Sequence, residues 1–376
     1  MKVLHLISGG DTGGAKTHVL SLIKELHKTM EVTLVTLLEE EFYHEGLSMG
    51  LDIRLMLQKR RYNLGVVKRL RDLLKEEGFQ ILHCHGARAN FVAALLRRYY
   101  RIPSLTTLHS DYRLDFQGNF YKNLVFTPLN AWALRKFDYY IAVSDSFKEM
   151  LIKRGFPKER IFVVYNGIDF QSPLELTERE SFLRRFELEI PPGSKIAGTV
   201  GRLHPVKGHQ VLLEGARLVL QHEPDTHFII AGDGEEKSKL LSRRDALGLQ
   251  GNVHFVGYVH NPDELINILD VNLLTSFSES FPLVLLEGAR LRKPTLSSAV
   301  GGIKLLVREG ETGLLFQAGD SRHFATQLLR MLQNEEMAQQ LGENLYQHAR
   351  QNYSLEMLGK SHRGIYSEII EGESAS

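Results

Sequence analysis

The sequence of 376 residues holds one cysteine, Cys84, and one tryptophan. A lone thiol excludes an internal disulfide framework and fits a reducing compartment. No apolar run approaches the roughly 20 residues that a membrane-spanning helix needs. The first eight residues, Met-Lys-Val-Leu-His-Leu-Ile-Ser, give way to Gly-Gly-Asp too soon for a signal peptide and read as a strand. The expected location is therefore the cytoplasm, at most resting on the inner face of a membrane. Charge of one sign is also missing. Lys and Arg number 46 against 45 Asp and Glu, a formal net charge of +1, so the global basic field of a nucleic-acid binder is absent. His85 and His109, with Cys84 in a strand, lack the spacing of a zinc site. No metal is expected.

What is present is an ordinary globular composition, 43% hydrophobic and 24% charged, long enough for two domains. The first half alternates apolar strands at 3–8, 32–37, 81–85, 104–109, 139–144 and 161–165 with helices whose apolar residues recur at three- and four-residue spacing. Val19, Leu22, Ile23 and Leu26 are one such set. The polar, proline-bearing stretch 170–192 reads as a hinge. Alternation then restarts with strands at 196–200, 227–231, 253–256, 271–274, 295–297 and 313–316, followed by one or two long polar helices over 321–352 and a last helix from about 354. Such alternation predicts an α/β fold built on parallel sheets covered on both faces. Ligands of such sheets collect at the carboxyl ends of the strands.

The most informative stretch is Glu279-Ser-Phe-Pro-Leu-Val-Leu-Leu-Glu287. Pro282 suits the first position of a helix over 282–292, with Ser280 or Phe281 as its cap. Glu279 then sits on the loop before the helix and Glu287 inside it. The free N–H groups at the helix start favour an anion such as a phosphate. One acid lies near whatever that phosphate carries, and the other can take two neighbouring hydroxyls, as a ribose offers. Two solvated glutamates on an amphipathic helix is the competing account. Gly201-Arg-Leu-His-Pro-Val-Lys-Gly208 leaves the first strand of this half with a guanidinium and an ammonium five residues apart, which suits two phosphates. Ala231-Gly-Asp-Gly234 and Phe255-Val-Gly-Tyr-Val259 are further turns at strand ends, the latter able to present backbone to a flat base. In the first half, Gly9-Gly-Asp-Thr-Gly-Gly14 opens a helix near Ala15, and His85 and His109 stand at strand ends. The aromatic and basic stretch from Asn119 to Lys136 fits either a core-packed helix or one lying on a membrane surface.

Taken in order, Gly201-Arg202, Lys207-Gly208, Ala231–Gly234, Phe255–Gly257, Glu279 with Glu287, and Gly301-Gly302 before Glu311-Thr-Gly-Leu-Leu-Phe316 resemble the donor-binding domain of retaining GT-B glycosyltransferases, family 4. The Gly9–Gly14 loop, Ala142-Val-Ser144 and Asn166-Gly-Ile-Asp169 extend the resemblance over nearly the whole chain. It implies two Rossmann-like domains facing each other across a cleft. Residues 1–169, completed by the last helix at about 354–376, would form the acceptor domain; 170–192 the linker; 193–353 the nucleotide-sugar domain. It further implies that Arg202 and Lys207 hold the diphosphate, with the backbone N–H groups of Phe281, Pro282 excepted, to Leu283 and Val284. Glu287 would bind the ribose, Glu279 the transferred sugar, and Val259 the base, with Gly232 and Asp233 alongside. His109 would meet the sugar or the acceptor, and Gly13 and Gly14 would close over the phosphates. The loop Glu279-Ser-Phe-Pro departs from the family's Glu-Gly-Phe-Gly, which bears on sugar preference. No Asp-x-Asp pair stands at a strand end, so metal-independent chemistry without a cofactor is expected. The implied activity is retaining transfer of a hexose or N-acetylhexosamine from a UDP-sugar, or a GDP-sugar, to a glycan or lipid-linked hydroxyl. A nucleotide-sugar epimerase and an inactive scaffold of the same fold are the rivals.

Overall fold

The computed structural model describes all residues except 11–13, 59, 61, 62, 110, 114–119, 175, 375 and 376, and at 14, 15, 120–123, 125 and 374 it describes backbone alone. The chain divides into two units, Met1–Gly167 with Leu355–Ser376, and Ile168–Ser354.

In the first unit the strands β1 (Lys2–Ile7), β2 (Glu31–Thr36), β3 (Ile53–Leu55), β4 (Ile81–His85), β5 (Ser104–Leu108), β6 (Tyr139–Ala142) and β7 (Ile161–Val163) form one sheet. Their order is β3-β2-β1-β4-β5-β6-β7, and all pairs are parallel. Side chains alternate between two buried faces. Leu4, Leu6, Leu82 and Cys84 pack to one side, with Val66, Leu70 and Val92 from the helices Gly65–Glu76 and Ala87–Leu96. Val3, Ile7, Ile81 and Leu105 pack to the other, against the helices Gly14–His27 and Leu355–Ser374. Leu358, Tyr366 and Ile369 of that last helix belong to this core, which is why the C-terminus lies with the N-terminal unit.

The second unit repeats the plan. Strands β8 (Ile196–Val200), β9 (His227–Ala231), β10 (Val253–Gly257), β11 (Val271–Leu274), β12 (Thr295–Ser298) and β13 (Leu314–Phe316) form a parallel sheet ordered β10-β9-β8-β11-β12-β13. In both sheets the winding reverses between the first and fourth strand, β1 beside β4 and β8 beside β11. Loops leaving such a pair diverge and open a crevice for ligands.

Three features differ from the sequence reading. The edge strand β3 is three residues long, too short to leave a period. The stretch 170–192 contains the helix Arg179–Arg185, whose Phe182 and Leu183 are buried with Ile190 and Leu265, because its apolar side chains find a core. The helix after Glu279 runs Leu283–Arg290, and Pro282 is its cap in extended conformation rather than its first residue.

Candidate functional site

The second unit's candidate site is assembled where β8 and β11 part. The loop leaving β8 carries Arg202 and Lys207; the loop leaving β11 carries Glu279. Lys207 Nζ lies 2.6 Å from Glu279 Oε1, and the Ser276 hydroxyl donates to the same oxygen at 2.6 Å. Both charged side chains are mostly buried, with 20% and 10% of their surface exposed, so this pair is held in a medium that strengthens it. The Thr275 hydroxyl donates to the Lys207 carbonyl at 3.0 Å and ties the two loops together. Arg202 is exposed and has no side-chain partner among the described residues. Phe281 is buried against Tyr353, with ring centroids 4.7 Å apart, which anchors the loop between Glu279 and the helix.

Glycine permits the close approach of these loops. Gly301 has φ +50°, and a Cβ there would stand 1.8 Å from the Glu279 carbonyl oxygen. At Gly232, with φ +141°, a Cβ would stand 1.8 Å from the Gly201 carbonyl oxygen. Backbone bonds Gly201 N–H to Ala231, Gly232 N–H to Gly257 and Leu203 N–H to Asp233 stitch the three glycine turns side by side. Asp233 is turned into this scaffold: it accepts from the Gly234 N–H at 2.8 Å and pairs with Lys237 at 3.1 Å. That backbone bond, with Lys237, holds its carboxyl below the usual range. Val259 has its side chain in the core with Phe182 and Leu265, which leaves backbone as the group it can offer a ligand.

The helix Leu283–Arg290 lies close on β11. A Cβ at Gly288 would stand 2.3 Å from Asn272 Nδ2, and that amide donates to the Val284 carbonyl at 3.3 Å. The first N–H groups of the helix, at Leu283 and Val284, are free of intrahelical partners by position. One turn on, Glu287 is half-buried and its carboxylate has no hydrogen-bond partner among the described residues. Burial, and then the neighbouring Asp263, push its pKa up to about 7, and Arg290 opposes the rise. Asp263 and Arg290 form an ion pair, and Arg290 also donates to the Asp169 carbonyl at 3.0 Å. Burial raises the Asp263 carboxyl as well. An unpaired acid held at such a cost is a feature of ligand sites.

In the first unit, Gly14 opens the helix Gly14–His27, and Gly13 lies outside the described residues. His109 joins a cluster that sequence reading missed. Strand parity puts His5, His83, His85, Thr107 and His109 on one face of the sheet, beneath His18 and the C-terminal helix with His362 and Tyr366. His85 and His109 stack with centroids 5.7 Å apart, and His18 stands edge-on to His109 at 4.8 Å. Burial first, then the nearby His362, lowers the His109 pKa to about 4, so its ring is neutral at pH 7. The ring nitrogens of His5, His83 and His85 lie within 4.8 Å of one another, a spacing that a metal ion could use. Each of these nitrogens is already committed to a hydrogen bond inside the cluster. Also missed were Asp263, Ser276 and the reach of Arg290. The signal for the histidines was available: polar residues at alternate positions of otherwise apolar buried strands are the exception that asks for a reason.

Comparison with known proteins follows the same division. Residues 12–172 match the model of Glycosyltransferase Family 4, and residues 181–348 match Glycosyl transferases group 1. The chain is 28% identical over 321 residues to N-acetyl-alpha-D-glucosaminyl L-malate synthase of Bacillus anthracis, covering 83% of this chain and 81% of that one. It is 25% identical to D-inositol 3-phosphate glycosyltransferase of Corynebacterium glutamicum, covering 97% and 94%. Among solved structures, Anabaena HepE in complex with UDP superposes with TM-score 0.81 at 21% identity, covering 98% of this chain and all of that one. HepE in complex with UDP-glucose gives 0.79 at 22%, covering the whole of both chains. Among the described residues no helix is long and apolar enough to cross a membrane.

Proposed function

Because the chain belongs to the group 1 glycosyltransferases of GT-B fold, we propose that it moves a hexose or N-acetylhexosamine from a UDP-sugar to an acceptor hydroxyl, with retention at the anomeric carbon and without a metal. The observation that carries this is the Lys207–Glu279 pair at the β8/β11 crevice, flanked by the unpartnered Arg202 and the start of the Leu283–Arg290 helix. Arg202, Lys207 and the N–H groups of Leu283 and Val284 neutralise the diphosphate as charge grows on it. Glu287 accepts from the ribose hydroxyls, and Glu279 orients the sugar. Uridine is favoured because HepE, of similar fold, is seen with UDP and with UDP-glucose. Glu279 is itself committed to Lys207 and Ser276, which disfavours it as a nucleophile. A front-face route fits this, with the leaving phosphate oxygen taking the acceptor's proton as the new bond forms.

The acceptor we favour is lipid-linked or part of a cell-surface polysaccharide. The helix Phe120–Leu134 supports this reading, since Leu124 is 64% and Trp132 39% exposed beside Lys136. Such a face suits the interface of a membrane.

Thermal shift against UDP, GDP, ADP and their common sugar conjugates, with and without EDTA, tests the donor site, because a ligand of the folded state raises the midpoint by mass action. A rise selective for uridine nucleotides and unchanged by EDTA is expected. A response to no nucleotide would refute the transferase reading, and one that needs a divalent ion would refute its metal independence.

A further inference from the structure

The buried histidines of the first unit join into one line of hydrogen bonds. The Thr107 hydroxyl meets His83 Nε2 at 2.7 Å, and His83 Nδ1 meets the Tyr366 hydroxyl at 2.7 Å. Tyr366 then meets His5 Nε2 at 3.1 Å, and His5 Nδ1 meets His85 Nε2 at 3.0 Å. Finally His85 Nδ1 lies 3.4 Å from His109 Nε2. Every interior member is fully buried: His5, His83 and Tyr366 at 0% exposure, His85 at 1%. Burial holds all four imidazoles of the line in the neutral form, so each carries one proton.

A neutral line of this kind has little freedom. Each of its five links needs one proton, and its six members supply six, one from each ring and one from each hydroxyl. Once the links are filled, one proton is left over. It sits on His109 Nδ1, on the Thr107 oxygen pointing away from the line, or on the Tyr366 oxygen if both neighbouring rings donate to it. Thr107 is 3% and Tyr366 0% exposed, and neither hydroxyl has an acceptor outside the line among the described residues. A buried donor left unmade is the costly arrangement, so both hydroxyls donate into the line. Every following proton then points the same way. Thr107 donates to His83, His83 to Tyr366, Tyr366 to His5, His5 to His85, and His85 to His109 Nε2. The leftover proton lies on His109 Nδ1, which has no partner among the described residues on a ring that keeps some solvent access.

We propose that this buried line, anchored by the Thr107 and Tyr366 hydroxyls, fixes His109 as a neutral Nδ1–H donor toward an oxygen of the bound ligand. The line excludes the role of general base for that nitrogen. To expose a lone pair at Nδ1, at least the three links from Tyr366 to His109 would have to reverse together, leaving a buried hydroxyl proton without an acceptor. Other groups packed against the line do not supply a rival charge. His18, from the helix Gly14–His27, stands edge-on to His109; His362, from the helix Leu355–Ser374, stacks on His83 with centroids 5.9 Å apart. Both are neutral by burial, and among the described residues no carboxylate pairs with any ring of the cluster. Thr107, Tyr366, His83, His5 and His85 are positioning residues, acting on the ligand through His109. The proposal rests on the glycosyl-transfer reading only for the identity of the ligand whose oxygen accepts this bond.

The test is tautomer-resolved NMR on the full chain labelled with nitrogen-15 in histidine, the His109 signals being assigned by their loss in His109→Gln. At pH 7 the expected pattern is Nδ1–H, the form that free histidine disfavours in water. Tyr366→Phe removes the hydroxyl that joins His83 to His5, and the expected result is a mixture of the two tautomers at His109 with the His227 and His254 signals unmoved. Thr107→Val should do the same, and Thr107→Ser, which keeps the hydroxyl, should restore the Nδ1–H form; this pair carries the test if Tyr366→Phe does not fold. An Nε2–H signal at His109 in the wild type, or an Nδ1–H signal that persists in both severed variants, would overturn the proposal. The measurement uses neither donor nor acceptor sugar, so it fails separately from the transferase reading.

Discussion

Glu287 offers a perturbation whose sign and size follow from its surroundings. A carboxyl raised from 4.5 to about 7 by burial and by Asp263 is a liability of the folded state. Protons bind more tightly to the folded chain than to the unfolded one, so stability falls as pH climbs from 4.5 through 7. The penalty is absent below the lower value and complete above the upper. At 1.36 kcal/mol for each tenfold change in proton affinity, it reaches about 3 kcal/mol at most, less where the half-buried site keeps water. Glu287→Gln keeps the shape and removes the charge. It should match wild type at pH 5 and be about 1–3 kcal/mol more stable at pH 8. Denaturant unfolding at both values reads this, followed on the transition that UDP shifts, because a chain of two units need not unfold in one step. The same variant should bind UDP about tenfold more weakly, since it loses hydrogen bonds to a charged acceptor. If stability does not separate at pH 8, the acid is not strained. If it separates while UDP affinity stays, the strained acid is not the ribose ligand.

Three further perturbations discriminate within the same site. Arg290→Met leaves the buried Asp263 without its partner and should cost about 3–5 kcal/mol in unfolding, much of it recovered by adding Asp263→Asn. Gly301→Ala forces a Cβ against the Glu279 carbonyl in a conformation that alanine resists, at a cost on the order of 1–3 kcal/mol; turnover should drop while circular dichroism stays native. Lys207→Ala strips the partner from Glu279 and leaves a carboxylate facing the phosphate position. UDP binding by calorimetry should therefore weaken more in Lys207→Ala than in Lys207→Ala with Glu279→Gln; the reverse order would remove Lys207 from the diphosphate site.

Much of this architecture was legible because local rules and global fold agree. Runs such as Ile-Leu-His-Cys-His and His-Phe-Ile-Ile-Ala, each followed by a glycine turn and a helical period, announce parallel strands, and both occur as β4 and β9. The loops leaving β8 and β11 could be singled out from composition because both leave strand ends, the edge where such sheets hold ligands. That Lys207 would meet Glu279, 72 residues away, required knowing that β8 and β11 are neighbours. Spacing along the chain does not carry that information. The helix start was misread by one residue for a local reason: Pro282 has the fixed φ of a helix, but its ψ of 124° is extended, and the sequence constrains only the former. Strand β3 was lost because three residues at a sheet edge leave no period to detect.

The histidine line shows which part of a site sequence can give and which it cannot. In a strand, residues two apart share a face, so 83 with 85 and 107 with 109 are already paired by period alone. His5 joins them because parallel register sets it beside His83. The closing member is Tyr366, 283 residues from His83 and carried by a helix that ends the chain. Its apolar neighbours Ile365 and Ile369 say that the helix is buried, not against which sheet. The line therefore depends on the one long-range fact that local patterns leave open, the return of the C-terminal helix to the first unit. It follows that shortening the chain before Tyr366 should release the tautomer of His109 even though no residue of β1, β4 or β5 is changed.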